Sequence, residues 1–469
     1  MESERYWYSA GGDYNFSVVG RFEKLKNNEG GFFFDVSDYE AIIEFYLDNN
    51  EVLQASEAAD IALSQHPGSI PIRSKMVRVC IDRGMAPEAL AIIRSLESLD
   101  PGDPEMTFMK GTALCMAGDT KRAMLLFNSL ISDDMSEEDE DILLRVVSVF
   151  QDLNFYKEAI IYIRMLIDID PNDYYIYHDY AFAHDKIGES ERAIHYYNRF
   201  LEGDPFSDSA WYNLGVIYAR KGYYSKALEA YEFALAVNPD NIFALYNKGN
   251  VLSNLELYER AAAVYMEYLE SDPDNYEATI YLGECFEKRG LLDRAEQFFS
   301  EAVDLDPDLA DGWFGLALVS YRRENYGRAM ASLGRAISID SHNSEYRHLL
   351  AKSYFAIGMV KEGVRSLIRL VDSDPFFDEA WVDLSLVIDE AGVAGRISTI
   401  LRGVANIIGD VPGFNYIYSA CLLAGGERPG ALSALGRAID SDPSLFYRFS
   451  HMFNEEMLDE NMRDLINGL

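Results

Sequence analysis

The sequence predicts an all-α fold, a solenoid of stacked antiparallel helix pairs. Three regularities predict it: prolines that recur every 34 residues, apolar residues spaced by threes and fours within each period, and a glycine midway through most periods. A helix pair of this length cannot bury its own apolar face, so neighbouring pairs must stack to form a core.

The proline spacing sets the length of the repeated unit. Successive Asp-Pro and Asn-Pro prolines from Pro171 to Pro307 stand 34 residues apart. A two-residue insertion near 138–139 precedes this stretch, and upstream of it Pro67 and Pro101 keep the same spacing. Twelve units follow over residues 36–445, beginning at Val36, Ile70, Pro104, Glu140, Tyr174, Asp208, Ile242, Tyr276, Ala310, Ser344, Asp378 and Pro412.

The unit at residues 208–241 shows the pattern inside one period. Trp211 and Leu214 fall on one face of a first helix, because apolar residues three and four apart lie on the same side. Gly222 stands where that helix would end in a left-handed residue. A second helix follows, and Pro239 stops it because proline disfavours helical geometry in the residue before it.

These residues resemble the tetratricopeptide repeat family. The family pattern W-x2-L-G-x2-Y…A-x3-F…P is matched, with tyrosine in place of phenylalanine, by Trp211, Leu214, Gly215, Tyr218, Ala227, Tyr231 and Pro239. The resemblance covers about 410 of the 469 residues. It implies a right-handed superhelix of helix pairs and a role in binding other proteins.

A small residue recurs at one register of the second helix. We expect a close helix contact there, because a larger side chain would force the helices apart. The unit at 378–411 departs from the pattern, with Ile397 at this register and no closing proline, and we expect it to be the least regular. The recurring alanines are Ala55, Ala89, Ala123, Ala159, Ala193, Ala227, Ala261, Ala295, Ala329 and Ala431.

The two ends of the chain lack the repeat. Residues 1–35 are expected to form a partly mobile N-terminal extension, with a short helix over residues 18–25. Ser37 or Asp38 is the expected N-cap of the first repeat helix. Residues 446–469 are expected to form a C-terminal capping helix with an acidic outward face.

A second stripe of residues lies beside the core face of each first helix, at the positions of Ser209, Tyr212 and Val216. The resemblance implies that this stripe lines the inner, concave surface, where the family commonly binds peptides. It is rich in aromatic residues from the fifth to the ninth unit, except in the eighth, where Glu277 and Glu284 interrupt it. The candidate peptide-binding residues are Tyr175, His178, Phe182, Tyr212, Val216, Phe243, Tyr246, Asn250, Phe314, Leu318 and Tyr321.

Two further side chains, Asn213 and Asn247, are candidates for gripping a peptide backbone. For the aromatic residues an alternative stays open. Their rings could instead complete the packing between adjacent first helices, since helical stacks bury aromatic surface readily. In that case their removal would lower stability before it affected binding.

The charge of the chain limits the classes of partner. Lys and Arg total 41 against 78 Asp and Glu, which gives a net charge of −37. Such a chain repels phosphate backbones and anionic lipid headgroups, so nucleic acid and membrane surfaces are poor partners. Basic protein segments are favoured by the same field.

Neither catalysis nor a bound cofactor is expected. The sequence has no glycine-rich nucleotide loop, no HExxH and no GxSxG, and its four cysteines form no CxxC pair. It also has no long apolar run and no secretory signal pattern at the N-terminus, so a cytoplasmic location is the default expectation. The leading hypothesis is a scaffold that binds a protein segment. The alternatives are a self-assembling structural array and a non-catalytic regulatory subunit of a larger complex.

Overall fold

The computed structural model describes residues 12–27, 33–99, 102–132, 136, 139–391, 401, 411–453 and 458–468. They form two compact units, one reaching to Ile217 and the other beginning at Tyr218. Helices and the turns between them make up both units, and no strand occurs among the described residues. The predicted all-α solenoid of tandem helix pairs is confirmed.

The first unit contains an N-terminal helix followed by helix pairs. Its helices are α1 (Gly12–Lys26), α2 (Val36–Asp48), α3 (Val52–Gln65), α4 (Ile70–Asp82), α5 (Ala86–Glu97), α6 (Pro104–Met116), α7 (Thr120–Asn128), α8 (Glu140–Asp152), α9 (Tyr156–Ile169), α10 (Tyr174–Lys186) and α11 (Ser190–Gly203). The division between the units falls within α12 (Asp208–Arg220).

The second unit continues the same alternation of first and second helices. Its helices are α13 (Tyr224–Val237), α14 (Ile242–Asn254), α15 (Tyr258–Ser271), α16 (Tyr276–Lys288), α17 (Leu292–Leu305), α18 (Ala310–Arg322), α19 (Tyr326–Ile339), α20 (Ser344–Ala356), α21 (Val360–Ser373), α22 (Asp378–Ala391), α23 (Pro412–Ala424), α24 (Arg428–Ser441), α25 (Phe446–Phe449) and α26 (Glu460–Asn467).

Each of the twelve predicted unit starts is the first residue of a helix. The physical reason is local, because a short polar residue often precedes the start and its side chain accepts a backbone N–H of the first turn. Such caps are Ser69, Asp103, Asp173, Asn241, Asn275 and Asn343.

The first repeat helix is capped earlier than the sequence suggested. Asp35, rather than Ser37 or Asp38, is the N-cap. The Asp38 N–H donates to the Asp35 carboxylate at 2.8 Å, and the Asp35 N–H donates to the Asp38 carboxylate at 3.2 Å. This reciprocal pair satisfies two N–H groups at the helix start and places Asp38 inside the first turn.

In eleven of the twelve helix pairs, a residue with left-handed backbone geometry follows the first helix. In the remaining pair this place falls at Gly392, which lies outside the described residues. Glycine takes this place in seven units, as at Gly222 with φ of 75°. In four others Asn50, Asn154, Glu256 and Glu324 adopt φ between 59° and 61°. A side chain is strained in this conformation, whereas glycine adopts it freely.

The ten recurring alanines of the second helices are all buried at the predicted register. Ala227, Ala261 and Ala295 have no exposed surface, as the close contact requires. Four residues further along the second helix, a large side chain packs on the first helix. Gly249 makes room for it in α14, because a Cβ there would lie 2.6 Å from the Tyr265 ring.

Successive first helices of the second unit also touch each other. Contacts join α14 to α16, α16 to α18 and α18 to α20. The second stripes of these helices are therefore neighbours in space, which is the condition for a shared binding surface.

The ends of the chain differ from expectation. The helix expected over residues 18–25 belongs to the longer α1, whose Val18 and Phe22 are buried against α2. The single helix expected over residues 446–469 is wrong: α25 is short, and α26 starts separately where the Asp459 carboxylate accepts the Met462 N–H. Residues 1–11 and the second helix expected in the unit at 378–411 lie outside the described residues, apart from residue 401.

Candidate functional site

In the first unit, the predicted residues on α10 differ in how far they are open to a partner. Tyr175 is 71% exposed. His178 is half-buried, with its ring centroid 5.2 Å from that of Phe200 and 5.6 Å from that of Tyr197. Tyr175 therefore offers an open ring, whereas His178 mainly contributes to packing.

The remaining predicted residues of the first unit are all half-buried. The Phe182 ring lies 5.9 Å from that of Tyr156, and the Lys186 ammonium stands 4.9 Å above its centroid. On α12, Tyr212, Val216 and Asn213 are half-buried, and the Asn213 side chain faces the hydroxyl of Tyr197.

On α14 in the second unit, Phe243 and Tyr246 sit on the same helix face in different surroundings. Phe243 is 67% exposed. The Tyr246 ring is half-buried, with its centroid 5.2 Å from Tyr268 and 6.2 Å from Tyr281, and its hydroxyl donates to Glu277 at 3.2 Å. The packing alternative thus describes Tyr246, while Phe243 is free to meet a partner.

A groove of about 490 Å³ opens beside Asn250, between α14, α15 and α16. The Tyr265 hydroxyl donates to the Asn250 side-chain oxygen at 2.6 Å. This bond directs the Asn250 amide N–H groups away from Tyr265, where they can donate to a peptide carbonyl. The groove is lined by Asn250, Ser253, Tyr265, Tyr281, Glu284 and Lys288, among others.

Glu284 also lines the groove, and the aromatic pattern did not select it. Its side chain is open to the water of the groove. The groove walls take away part of the hydration of this carboxyl group, and this partial desolvation, followed by repulsion from Asp311, raises the pKa of Glu284 to about 7. Its register could have indicated it, because Glu284 occupies the same position in α16 as Asn250 does in α14. The sequence analysis treated its unit only as a break in the aromatic stripe.

Besides Glu277 and Glu284, the stripe in α16 contains Ile280 and Glu287, and neither of these lines the groove. Ile280 is buried in the core. Glu287 is buried and pairs with the guanidinium of Arg322 at 2.6 Å. The interruption of the stripe therefore places one carboxylate in the groove, that of Glu284, and leaves Glu277 on the exposed surface beside Tyr246.

The predicted residues on α18 are half-buried. The Phe314 ring centroid lies 4.9 Å from that of Tyr346, and the Tyr321 centroid lies 5.4 Å from that of Tyr326. Leu318 is half-buried in the same cluster, and Asn247 is half-buried on α14. These side chains are packed against neighbouring side chains and do not project from the stripe as Tyr175 and Phe243 do.

The described residues contain no group of three or more His, Cys, Asp or Glu side chains arranged to hold a metal ion. All four cysteines are unpaired and buried. Among the described helices, none has both the length and the apolar composition needed to cross a membrane.

Comparison with protein families matches the centre of the chain. Two tetratricopeptide repeat models match residues 209–241 and 246–310. The model of the anaphase-promoting complex, cyclosome, subunit 3, matches residues 288–370. No match was found among curated protein sequences.

Several solved structures are similar to parts of the chain. YrrB, described as a tetratricopeptide-repeat protein with an unusual peptide-binding site, is 28% identical over 40% of this chain and 96% of its own, with a TM-score of 0.37. MamA from Desulfovibrio magneticus RS-1 is 21% identical over 36% of this chain and 96% of its own, with a TM-score of 0.35. A tetratricopeptide-repeat protein from Parabacteroides merdae is 18% identical over 63% of this chain and 97% of its own, with a TM-score of 0.40.

Proposed function

The chain is a tetratricopeptide-repeat protein, and from this we propose that it is a non-catalytic scaffold that binds a segment of another protein on its concave, first-helix surface. Repeats of this kind stack into extended surfaces that serve protein binding. The groove beside Asn250 carries the proposal, because it opens on the stripe where the sequence predicted peptide contacts.

Two exposed rings support this function. Tyr175 in the first unit and Phe243 in the second stand on the predicted stripe and project from it. Aromatic side chains make good anchors at interfaces, because they offer a large contact area at a small cost in conformational entropy. We therefore assign Phe243 as an anchoring contact and Asn250 as a polar contact to the bound segment.

The partner that the charge favours is a basic protein segment. With a net charge of −37, the chain attracts basic segments and repels nucleic acid and anionic lipid. We propose a cytoplasmic location for this interaction, in keeping with the four unpaired cysteines. Fractionation of host cells tests the location, since recovery in a membrane or secreted fraction contradicts it.

The experiment is a pull-down with the full chain in which one anchor is removed. Phe243→Ala is expected to weaken partner binding about thirtyfold, since an interface anchor contributes about 2 kcal/mol. Phe376→Ala is the matched control, because Phe376 is 76% exposed but lies in the turn before α22. Equal recovery of partner by the wild type and both variants would contradict the proposal.

The two alternatives are tested separately. Size-exclusion chromatography with light scattering removes the self-assembling array if the chain is a monomer at micromolar concentration. A regulatory subunit is recognised by co-purification of an enzyme in fixed proportion, and loss of that enzyme on Phe243→Ala would place it on the same surface.

A further inference from the structure

Glu284 lies in the groove without an ion-pair partner. No salt bridge or hydrogen bond joins its carboxyl group to another residue in the part of the chain that the structure describes. The neighbouring acid Glu287 differs, since it is buried and paired with Arg322. An acidic group held inside a groove with no partner of its own is available to a charged group that enters from outside.

The charges around Glu284 leave a negative balance. Besides the paired Glu287, its carboxyl group is acted on by Asp311 and Glu345 from the two following first helices and by Lys288 one turn further along α16. Among the described residues, the carboxyl groups of Glu284, Asp311 and Glu345 have no ion-pair partner, although Asp311 accepts a hydrogen bond from the Tyr346 hydroxyl. These three acids thus stand near one ammonium group. An incoming cation would relieve the repulsion among them, whereas an incoming carboxylate would increase it.

The walls of the groove suit the stem of a long cationic side chain. Tyr258 and Tyr281 line the groove and are half-buried, whereas Tyr265 is fully buried, with its ring centroid 5.8 Å from that of Tyr281. Tyrosine rings contact methylene groups through their faces and attract cations through the same faces. The volume of about 490 Å³ exceeds that of one side chain and leaves room for the adjoining backbone beside Asn250.

We propose that this groove is a recognition pocket for one lysine or arginine side chain of a partner protein, whose cationic head pairs with Glu284 beside the half-buried rings of Tyr258 and Tyr281. The inference rests on the proposed function and adds to it the residue type that is recognised and the residue that recognises it. The acidic unit that interrupts the aromatic stripe is, on this account, its specificity element.

The test uses a library of random peptides displayed on phage and selected against the full wild-type chain. Selected peptides are synthesised with a fluorescent label, and their affinity is measured for the wild type, Phe243→Ala, Glu284→Gln and Glu267→Gln. Glu267 is the matched control, since it is an exposed glutamate on the neighbouring helix α15 and does not line the groove.

The expected result is a shared lysine or arginine in the selected peptides. Glu284→Gln should weaken their binding about tenfold, as loss of one partner of a partly shielded charge pair does, while Glu267→Gln should leave it nearly unchanged. A charge exchange gives a second readout: Glu284→Lys should reject these peptides and accept versions that carry glutamate at the basic position. Thermal melting of each variant checks that the fold is retained.

Three outcomes overturn the inference. Peptides that depend on Phe243 but contain no basic residue would leave the proposed function standing and remove the lysine or arginine pocket. Basic peptides weakened equally by Glu284→Gln and Glu267→Gln would show attraction by the overall charge and not by the groove. Failure to select any peptide that depends on Phe243 or Glu284 would contradict both proposals.

Discussion

At the scale of single residues, the junction between the helices of a pair shows how the sequence bears on stability. The left-handed residue there is glycine in most described pairs, but Glu256 and Glu324 hold φ of 60°. The recurrence of glycine at this junction can be read directly from the sequence. Other residue types adopt the same strained geometry because the packed helices before and after the turn fix its conformation.

Substitutions at this junction should therefore act in opposite directions. Gly290→Ala should lower the free energy of unfolding by about 1 kcal/mol, because alanine is strained at the φ of 75° observed there. Glu256→Gly should raise the melting temperature by relief of the same strain, and Glu256→Gln, which removes only the charge, should not. Thermal melts of the three variants provide the measurement. A stabilising Gly290→Ala would contradict the account.

The pKa of Glu284 predicts a pH effect on stability. Its folded-state pKa of about 7 exceeds the ordinary value of 4.5, so between these values the folded protein binds more protons than the unfolded chain. The contribution of Glu284 to stability is therefore present at low pH and lost as pH rises through about 7. The effect is modest, because water reaches the side chain and screens the repulsion.

Melting curves at about pH 5 and about pH 8 test this effect. Glu284→Gln should lose less stability than the wild type between the two values, and Glu267→Gln should lose as much as the wild type. The charged groups near Glu284 are Asp311, Glu287, Glu345 and Lys288, and the neighbouring titratable groups are Tyr281 and Cys285; all are unchanged in both variants. Identical pH profiles for all three proteins would show that the groove does not perturb this carboxyl group.

At the scale of helices, the boundaries were predictable wherever local chemistry sets them. Proline and the Ser, Asp and Asn caps act within a few residues, so each unit start could be read from the sequence. The division of the C-terminal segment into two helices was not predictable, because it depends on the docking of Phe449 and Met462 into the last core cluster. Likewise, the sequence placed Tyr246 on the stripe but could not reveal that neighbouring rings from other helices cover it.

The small-residue register predicts a specific packing defect. Ala227→Leu should lower stability by about 1–3 kcal/mol, the usual cost of overfilling a packed core, because Ala227 has no exposed surface. Ala236→Leu on the same helix is the control, since Ala236 is exposed. Urea unfolding measures both. Equal stability of the two variants would show that Ala227 is not at a close helix contact.

At the scale of the whole molecule, one repeated unit is used for two purposes. The core positions hold each pair to its neighbours, whereas the second stripe varies from unit to unit and supplies Phe243, Asn250 and Glu284. Net charge acts over the entire chain and favours basic partners without selecting a place. In the proposed function, selectivity comes from the stripe. The sequence predicted which residues lie on the stripe, but not which neighbouring rings cover them.

The most direct measurement is site-specific photo-crosslinking in host cells. A photoreactive phenylalanine analogue at position 243 should yield adducts with a partner protein, because the exposed ring there is assigned to the bound segment. The same analogue at position 376, equally exposed in a turn, should yield few or none. Adducts at position 243 with another protein support the binding surface, and adducts with a second copy of the chain favour self-assembly. Adducts at position 376 alone, or at neither position, would contradict the central claim.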